Sequence, residues 1–389
     1  MLRTRFALLF LISGGLGLGA CTSPAPHRAG ARMSPSSTAA SAQSCESESA
    51  LHAWSTRRLA ALSVVVPVEE TELASVREIL GQGLGGVILF GSHAPSDLAT
   101  QITQLRSAAF KQQPVLVMTD EEGGGIQRMA NLVGAIPWPR TMGQSMTPSQ
   151  IRATAFKLGQ ALAVQQVNMD LAPVADVDAG PGPSNTNPDG QRSFSGDSSL
   201  AAQDSTAFMQ GLQDAGVLPV LKHFPGLGGS TGNTDVMAAS TLPWSDLQRQ
   251  AIPAFAQAIS AGAPAVMISN AIVPGLSSLP AAVSPEIIRG QLRAELNFHG
   301  LVITDSLSAT ALSAAGFTLS SATVAAIKAG ADMVLFGLPA PPTSASSQAE
   351  QLVTAISQAV ATGRLSRQRL ESAATHILAA QKVSACTLG

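Results

Sequence analysis

The sequence predicts an α/β fold, specifically a single (β/α)8 barrel of the TIM type. Eight short apolar segments recur along the chain, and several are continuously apolar, as parallel strands buried on both faces are. Stretches with helical spacing separate most of these segments. Alternating strands and helices also fit a doubly wound sheet, but eight near-regular units favour the barrel. A chain of 389 residues has room for one such domain.

The apolar segments are the predicted strands. In chain order they cover residues 62–66, 86–90, 115–119, 169–174, 218–222, 265–269, 301–305 and 332–336. The predicted helices between them cover residues 71–80, 92–111, 148–167, 201–215, 246–261 and 285–296. The tail, residues 349–382, has the pattern of two amphipathic helices joined at Gly363.

The N-terminus predicts export from the cytoplasm. Arg3 and Arg5 precede an apolar run over residues 6–18, which is typical of a secretory signal. The following Leu-Gly-Ala-Cys resembles a bacterial lipobox, in which Cys21 is lipidated. An ordinary signal peptide or a membrane anchor is the alternative, although the apolar run is short for a membrane span. We therefore expect a protein held outside the cytoplasm by a lipid on the bacterial cell membrane.

Three parts of the chain follow from this interpretation. Residues 1–20 are the predicted lipoprotein signal peptide, and residues 21–45 are a tether rich in Ser, Ala and Pro that cannot bury enough surface to fold. Residues 46–389 are the predicted catalytic domain. With Cys21 lipidated, Cys45 and Cys386 remain as an even pair in an oxidising compartment, and a disulfide between them is predicted. Two unpaired thiols are the alternative.

Composition excludes several functions. The net charge of −2, without basic or acidic blocks, argues against nucleic acid as a partner. The chain has no Tyr, so a tyrosine nucleophile is excluded. There is no His-Glu-x-x-His motif, no paired Cys motif and no nucleotide phosphate loop. We expect no metal and no cofactor.

Polar residues gather where predicted strands end, which is where reactive groups of such barrels lie. A pair of carboxylates can hydrolyse a glycosidic bond, and neighbouring charged groups can hold sugar hydroxyls. Each residue also has a structural interpretation: Asp120 and Asp305 can cap helices, and His223 can be a hydrogen-bonded structural histidine. The polar groups in question are Asp120-Glu121-Glu122, Asp170, Asp176, Arg192, Lys222-His223, Ser269-Asn270 and Asp305.

Several motifs in the same order resemble those of glycoside hydrolase family 3, in particular its single-domain β-N-acetylglucosaminidases. Lys-His-Phe-Pro-Gly, at residues 222–226, is the most specific of them, and together the motifs span roughly residues 58–383. The others are Asp-Glu-Glu-Gly-Gly-Gly-Ile-Gln-Arg at 120–128, Leu-Ala-Pro-Val-Ala-Asp-Val at 171–177, Gln-Arg-Ser-Phe at 191–194, Gly-Leu-Val-Ile-Thr-Asp at 300–305 and Ala-Gly-Ala-Asp at 329–332.

The resemblance implies a role for each matching residue. Asp305 is the implied nucleophile. The family's general acid/base is a histidine in an Asp-Ser-His sequence, but the aligned positions here read Asn233-Thr234-Asp235, so we propose Asp235 as the acid/base. The implied contacts of the terminal sugar are Asp120, Arg128, Arg192, Lys222 and His223.

The expected activity is that of a retaining exo-β-N-acetylglucosaminidase acting on peptidoglycan or related amino-sugar glycans, as a monomer. Because the family histidine is missing, a weak or non-hydrolytic glycan-binding lipoprotein is the alternative. Another barrel chemistry, such as that of a lyase or phosphosugar enzyme, is disfavoured by the lack of a glycine-rich phosphate cradle in the late loops. Substrate-assisted hydrolysis using Glu121-Glu122 is a minor alternative.

Overall fold

The computed structural model describes residues 47–388. The predicted signal peptide, residues 1–20, and tether, residues 21–45, lie outside the described residues, as do Cys21 and Cys45. Among the helices that are described, none combines the length and the apolar character that crossing a membrane requires. Cys386, near the C-terminal end, is disulfide-bonded.

The strands are short, and those of the two larger sheets are almost wholly buried. Residues 301–304, for example, are buried throughout, as are residues 265–268. In chain order the strands are β1 Val65–Glu69, β2 Gly86–Phe90, β3 Leu116–Thr119, β4 Glu121–Gly123, β5 Ile126–Gln127, β6 Met169–Asp170, β7 Leu218–Pro219, β8 Leu221–Phe224, β9 Ala265–Ile268, β10 Ile272–Val273, β11 Ser277–Pro280 and β12 Leu301–Thr304.

The strands form two parallel sheets and two antiparallel hairpins. One sheet has the order β1-β2-β3-β6-β7, and the other has the order β12-β9-β8. Single parallel bridges connect them: Val174 pairs with Lys222, Ile303 pairs with Met333, and Val64 pairs with Val334. The fold is therefore α/β with parallel strands, and the expected barrel agrees with this order, although the pairing is not continuous through all eight predicted strand positions.

Helices separate the parallel strands in sequence, as predicted. Capping residues define several starts: Thr147 and Thr318 each form a capping box, and Asp197 accepts hydrogen bonds from two backbone N–H groups. The helices are α1 Ser47–His52, α2 Thr56–Leu62, α3 Arg77–Leu80, α4 Leu98–Ser107, α5 Ala130–Val133, α6 Pro139–Ser145, α7 Pro148–Val164, α8 Ser198–Asp214, α9 Trp244–Gln250, α10 Ile252–Ser260, α11 Thr310–Ala314, α12 Leu319–Ala329, α13 Ala345–Ala361 and α14 Arg367–Ala380.

Some predicted boundaries are wrong. The first strand starts at Val65 rather than at residue 62, because α2 extends to Leu62 and is capped at its start by Ser55, which accepts a hydrogen bond from the Arg58 N–H. Residues 332–336 form only the bridges described above and no continuous strand. The predicted helix at residues 285–296 is a π-helical segment, Glu286–Glu295.

This arrangement places the site because the bridges join the two parallel sheets, whose strands end on the same side. Residues at the carboxyl ends of β3, β8 and β12 therefore face a common space. Beneath them the strands and helices pack through apolar contacts, such as the edge-to-face pair of Phe224 in β8 and Phe255 in α10, whose ring centroids are 5.3 Å apart. The strand ends are fixed by this core, so the polar side chains they carry are held in place.

Candidate active site

A cavity of about 570 Å³ opens at the ends of the parallel strands. Its walls mix charged side chains with apolar ones such as Phe90, Leu171 and Met267, which suits a sugar with polar edges and a partly apolar ring face. The seven residues proposed from the sequence for catalysis or sugar binding all line it: Asp120, Arg128, Arg192, Lys222, His223, Asp235 and Asp305.

Asp120 and Arg128 reach the cavity through a tight hairpin after β3. Strands β4 and β5 pair antiparallel, and the Arg128 N–H donates to the Asp120 carbonyl at 3.3 Å. The turn needs glycine at position 124, where φ is +59° and an added Cβ would lie 2.0 Å from the Trp138 ring. The Arg128 guanidinium in turn donates to the Asp120 carboxylate at 3.2 Å. Sequence patterns did not predict this hairpin, whose strands are only two and three residues long.

Glu122 is the centre of a buried charge network that sequence reasoning missed. It accepts two hydrogen bonds from Arg192, at 2.7 and 2.8 Å, and lies 2.7 Å from Lys222 Nζ. Lys222 also donates to Asp120 at 2.8 Å. Burial disfavours the charge on Glu122, but Arg192 and Lys222 outweigh it and hold the pKa of that carboxyl well below its usual range. The motif at residues 120–128 contains Glu122, and it was the sequence signal that could have identified Glu122 as a residue of the site.

The same network keeps Lys222 and Asp120 charged. Burial by itself would lower the pKa of Lys222, but Asp120 and Glu122 raise it above its ordinary value. Burial by itself would raise the pKa of Asp120, yet Lys222 and Arg128 hold it below its ordinary value. Alternating acids and bases therefore present a row of fixed charges along one wall, and hydroxyl groups can both donate to it and accept from it.

His223 is a neutral imidazole whose orientation is fixed by Asp176. Its Nδ1 lies 2.7 Å from Asp176 Oδ2, which also accepts the His223 backbone N–H at 2.9 Å. Arg192 Nη2 lies 3.4 Å from His223 Nε2, so Nε2 accepts and the proton resides on Nδ1. Burial, reinforced by the Arg192 charge, lowers the pKa of His223 to about 4. The sequence marked Asp176 only as one of the polar residues near a strand end, and its contact with His223 was not predicted.

Asp305 follows β12 directly and lines the cavity. Its backbone N–H donates to Ile268 in the neighbouring strand at 2.9 Å, and its Oδ1 accepts the Ser306 N–H at 2.7 Å. Burial raises the pKa of Asp305, and the charge of Asp235 adds to this, whereas the Ser306 N–H and the Lys222 charge oppose it. Asp305 is thus a partly desolvated carboxyl with several groups that stabilise its anion.

Asp235 lines the cavity from the loop between β8 and α9. The residue is exposed, but the cavity walls partly desolvate its carboxyl, which raises the pKa of Asp235 against the opposing charge of Arg192. Among residues 47–388, no hydrogen-bond donor contacts the Asp235 carboxyl as the Ser306 N–H contacts that of Asp305.

Glu121 does not take part in the cavity, although it neighbours Glu122 in sequence. It is fully buried and accepts the Met129 N–H at 2.7 Å and the Gln127 side-chain N–H at 2.9 Å. Burial raises the pKa of Glu121 to about 7. Because Glu122 is held by Arg192 and Lys222, the pair Glu121-Glu122 presents no free acid for substrate-assisted hydrolysis.

A second acidic cluster lies beneath the cavity wall. Asp176, Asp189 and His223 bring potential ligand atoms within 4.8 Å of one another, so this is where a cation would find ligands. Neither carboxylate oxygen of the buried Asp189 has a hydrogen-bond partner among the described residues. His223 Nδ1 already contacts Asp176 directly, and Arg192 Nη1 lies 3.9 Å from Asp189 Oδ1.

Comparisons with known proteins place this geometry in context. The family described as "Glycosyl hydrolase family 3 N terminal domain" matches residues 57–380. The chain is 34% identical over 229 residues to "Beta-hexosaminidase LpqI" of Mycobacterium tuberculosis (strain ATCC 25618 / H37Rv); the match covers 57% of this chain and 58% of that protein. It is 30% identical over 298 residues to a "Beta-hexosaminidase" of Nitrosomonas eutropha, covering 74% of this chain and 82% of the relative.

Among solved structures, the beta-N-acetylhexosaminidase from Beutenbergia cavernae superimposes with a TM-score of 0.74. The two sequences are 32% identical, and the superposition covers 85% of this chain and 99% of the other.

Proposed function

The chain belongs to glycosyl hydrolase family 3, and from this premise we propose that it is a retaining exo-β-N-acetylglucosaminidase. The observation that carries the proposal is the pair of carboxyls at one cavity: Asp305 with several partners for its anion, and Asp235 with few. A retaining glycosidase needs an ionised nucleophile and a protonated donor for the leaving oxygen, and most such enzymes use two carboxyl groups for these roles.

In the proposed mechanism Asp305 attacks the anomeric carbon while Asp235 gives its proton to the leaving oxygen. A covalent glycosyl-enzyme ester on Asp305 forms as the glycosidic bond breaks. Asp235, now ionised, then takes a proton from water, whose oxygen displaces Asp305 from the anomeric carbon. Asp235 ends protonated again, and the product retains its anomeric configuration.

The charge network around Glu122 provides the proposed contacts with the terminal sugar. Lys222 and Arg192 are fixed by Glu122, so they need no reorganisation when hydroxyl groups bind. His223 is held by Asp176 with Nε2 directed toward Arg192. Arg128 is more exposed and meets the cavity from the hairpin, where its pairing with Asp120 is longer. The proposed sugar contacts are Asp120, Arg128, Arg192, Lys222 and His223.

The names of the relatives support an N-acetylhexosaminide as substrate, and we propose N-acetylglucosamine at the non-reducing end of peptidoglycan fragments or related glycans. The lipobox-like sequence ending at Cys21 supports an enzyme anchored outside the cytoplasm, where such glycans occur. We further propose that the bridged parallel sheets form a (β/α)8 barrel and that the protein acts as a monomer.

The missing family histidine favours one competing function, that of a weak or non-hydrolytic glycan-binding protein. A panel of chromogenic substrates separates the two. The proposal predicts hydrolysis of an aryl N-acetyl-β-glucosaminide and much slower hydrolysis of the matching β-glucoside and β-galactoside. Binding of N-acetylglucosamine without hydrolysis of any of the three would favour the glycan-binding function and refute the enzymatic one.

A further inference from the structure

The loop that carries Asp235 is tied by hydrogen bonds to the segment that follows Asp305. The Asp235 carbonyl accepts the Thr310 hydroxyl at 2.7 Å and the Thr310 N–H at 3.2 Å. The neighbouring Thr234 carbonyl accepts the Ala311 N–H at 3.0 Å. Three hydrogen bonds therefore join the two segments that bear the two carboxyls of the cavity. We call them the Thr310 clasp.

The clasp exists because α11 has unsatisfied N–H groups at its start. The residue before the helix, Ala309, has no side chain able to cap it. The first N–H groups of a helix have no partner inside the helix, so they require acceptors from elsewhere. The carbonyls of Asp235 and Thr234 supply them, and the Thr310 hydroxyl adds a third bond that few other side chains could make.

Two further hydrogen bonds restrain the loop that carries Asp235. The Asn233 N–H donates to the carbonyl of Asn185, another residue that lines the cavity, at 2.9 Å. The Asp235 N–H donates to the Asn233 side chain at 2.9 Å. Asp235 is thus fixed on one side through Asn233 and on the other through Thr310.

We infer that Thr310 is a positioning residue that holds the carboxyl of Asp235 in place relative to Asp305. It does so through the backbone of the loop between β8 and α9, residues 225–243, which we call the acid loop. This inference rests on the proposed function, since it gives Thr310 a part in proton donation. The aspartate side chain is shorter than that of the family histidine. Its carboxyl can still be held in position relative to Asp305, because its backbone is hydrogen-bonded to the segment that follows the nucleophile.

The test uses the whole protein with Thr310→Val, which keeps the shape of the side chain but removes the hydroxyl donor. Thr310→Ser restores the donor. Ser313→Ala is the matched control, because Ser313 lies in the same short helix, is exposed, and donates its hydroxyl to a backbone carbonyl, that of Thr310, at 2.9 Å. It makes no hydrogen bond to the acid loop among the described residues.

Two measurements are made on each variant. Hydrogen exchange of the amides at 233–237 reports whether the clasp holds the loop, and it needs no activity. In Thr310→Val these amides should exchange about 3- to 10-fold faster, the effect of losing one hydrogen bond, while Thr310→Ser and Ser313→Ala should resemble the wild type. Unchanged exchange in Thr310→Val would overturn the clasp.

The second measurement compares kcat/KM for aryl N-acetyl-β-glucosaminides with poor and good leaving groups. Thr310→Val should lose about 3- to 10-fold on the poor leaving group, little on the good one, and shift the basic limb of the pH profile, and Thr310→Ser should restore both. Equal losses on both substrates would overturn the positioning role. A wild type that hydrolyses no glycoside would refute the proposed function, and hydrogen exchange alone would then support or overturn the clasp.

Discussion

Arg192 donates two hydrogen bonds to the carboxylate of Glu122, from Nε at 2.7 Å and from Nη2 at 2.8 Å. The two residues are 70 positions apart in sequence, and both are largely buried. A planar, doubly bonded pair of this kind fixes both side chains, and Lys222 completes it with a second positive charge on Glu122. The charges that surround the cavity are therefore set before any ligand arrives.

Glu122→Gln is expected to damage stability and catalysis together. It removes the negative charge that compensates Arg192 and Lys222 in a buried site, where breaking an ion pair costs roughly 3 kcal/mol or more. The melting temperature should fall by roughly 5–10 °C.

Arg128→Ala is the control for that variant. The Arg128 side chain is 30% exposed and its bond to Asp120 is long, so the melting temperature should change little, while KM for a minimal aryl glycoside rises. Thermal unfolding and steady-state kinetics of both variants show whether the charge network supports stability and catalysis. A stable Glu122→Gln enzyme with normal kinetics would show that the charge network is dispensable.

Asp235→Ala should harm substrates in proportion to their need for a proton. Substrates with poor leaving groups should slow about 100-fold or more, whereas a dinitrophenyl glycoside, whose phenolate leaves unaided, should suffer much less in the first step. Azide should accelerate turnover of the dinitrophenyl substrate, because it attacks the glycosyl-enzyme without a general base. Equal slowing for all leaving groups, with no response to azide, would exclude Asp235 as the proton donor.

Glu121 predicts a dependence of stability on pH. Its pKa is raised by burial to about 7, so the folded protein retains a proton that the unfolded chain releases above about pH 4.5. This contribution to stability is complete at low pH and is lost as the pH rises through 7. Relative to wild type, Glu121→Gln should therefore gain up to about 3 kcal/mol between about pH 5 and about pH 8.

The check for Glu121 is the difference in melting temperature between the variant and the wild type at the two pH values. Glu78→Gln, at an exposed position, serves as the control. A difference that stays constant with pH would contradict the assignment of the raised pKa to Glu121.

The disulfide of Cys386 is predicted to join Cys45, which lies outside the described residues. Such a bond closes nearly the whole folded domain into one loop, and in the chain-entropy model this contributes on the order of 5 kcal/mol. Mass spectrometry of the unreduced protein should detect the two linked peptides, and reduction should lower the melting temperature. Recovery of Cys45 as a free thiol in the native protein would refute the pairing.

The sequence predicted the strand ends well where continuous apolar runs define them. Strand β12 ends at Thr304, one residue before Asp305, and β2 has the predicted bounds. The prediction of strands from sequence failed where long-range contacts determine the structure. Asp332 is drawn into ion pairs with Arg293 and Arg369, and its segment forms bridges instead of the predicted strand.

The site could be predicted as a set of residues but not as a network. The motifs marked the residues that line the cavity, but they carry no information about which charges meet. Glu122 and Asp176 act through partners distant in sequence, Arg192 and His223, and the clasp of Thr310 on Asp235 spans 75 positions. No local pattern encodes such pairings, because they depend on how the strands are arranged.

The most direct test of the account is covalent trapping of the intermediate on Asp305. A 5-fluoro N-acetylglucosaminyl fluoride slows both chemical steps, yet its leaving group departs readily, so the glycosyl-enzyme accumulates. Peptide mass spectrometry should then show one added sugar on the peptide that contains Asp305 and none in Asp305→Asn, which should be folded and nearly inactive. A label on another residue, or an Asp305→Asn enzyme that turns over at a near-normal rate, would contradict the proposed mechanism.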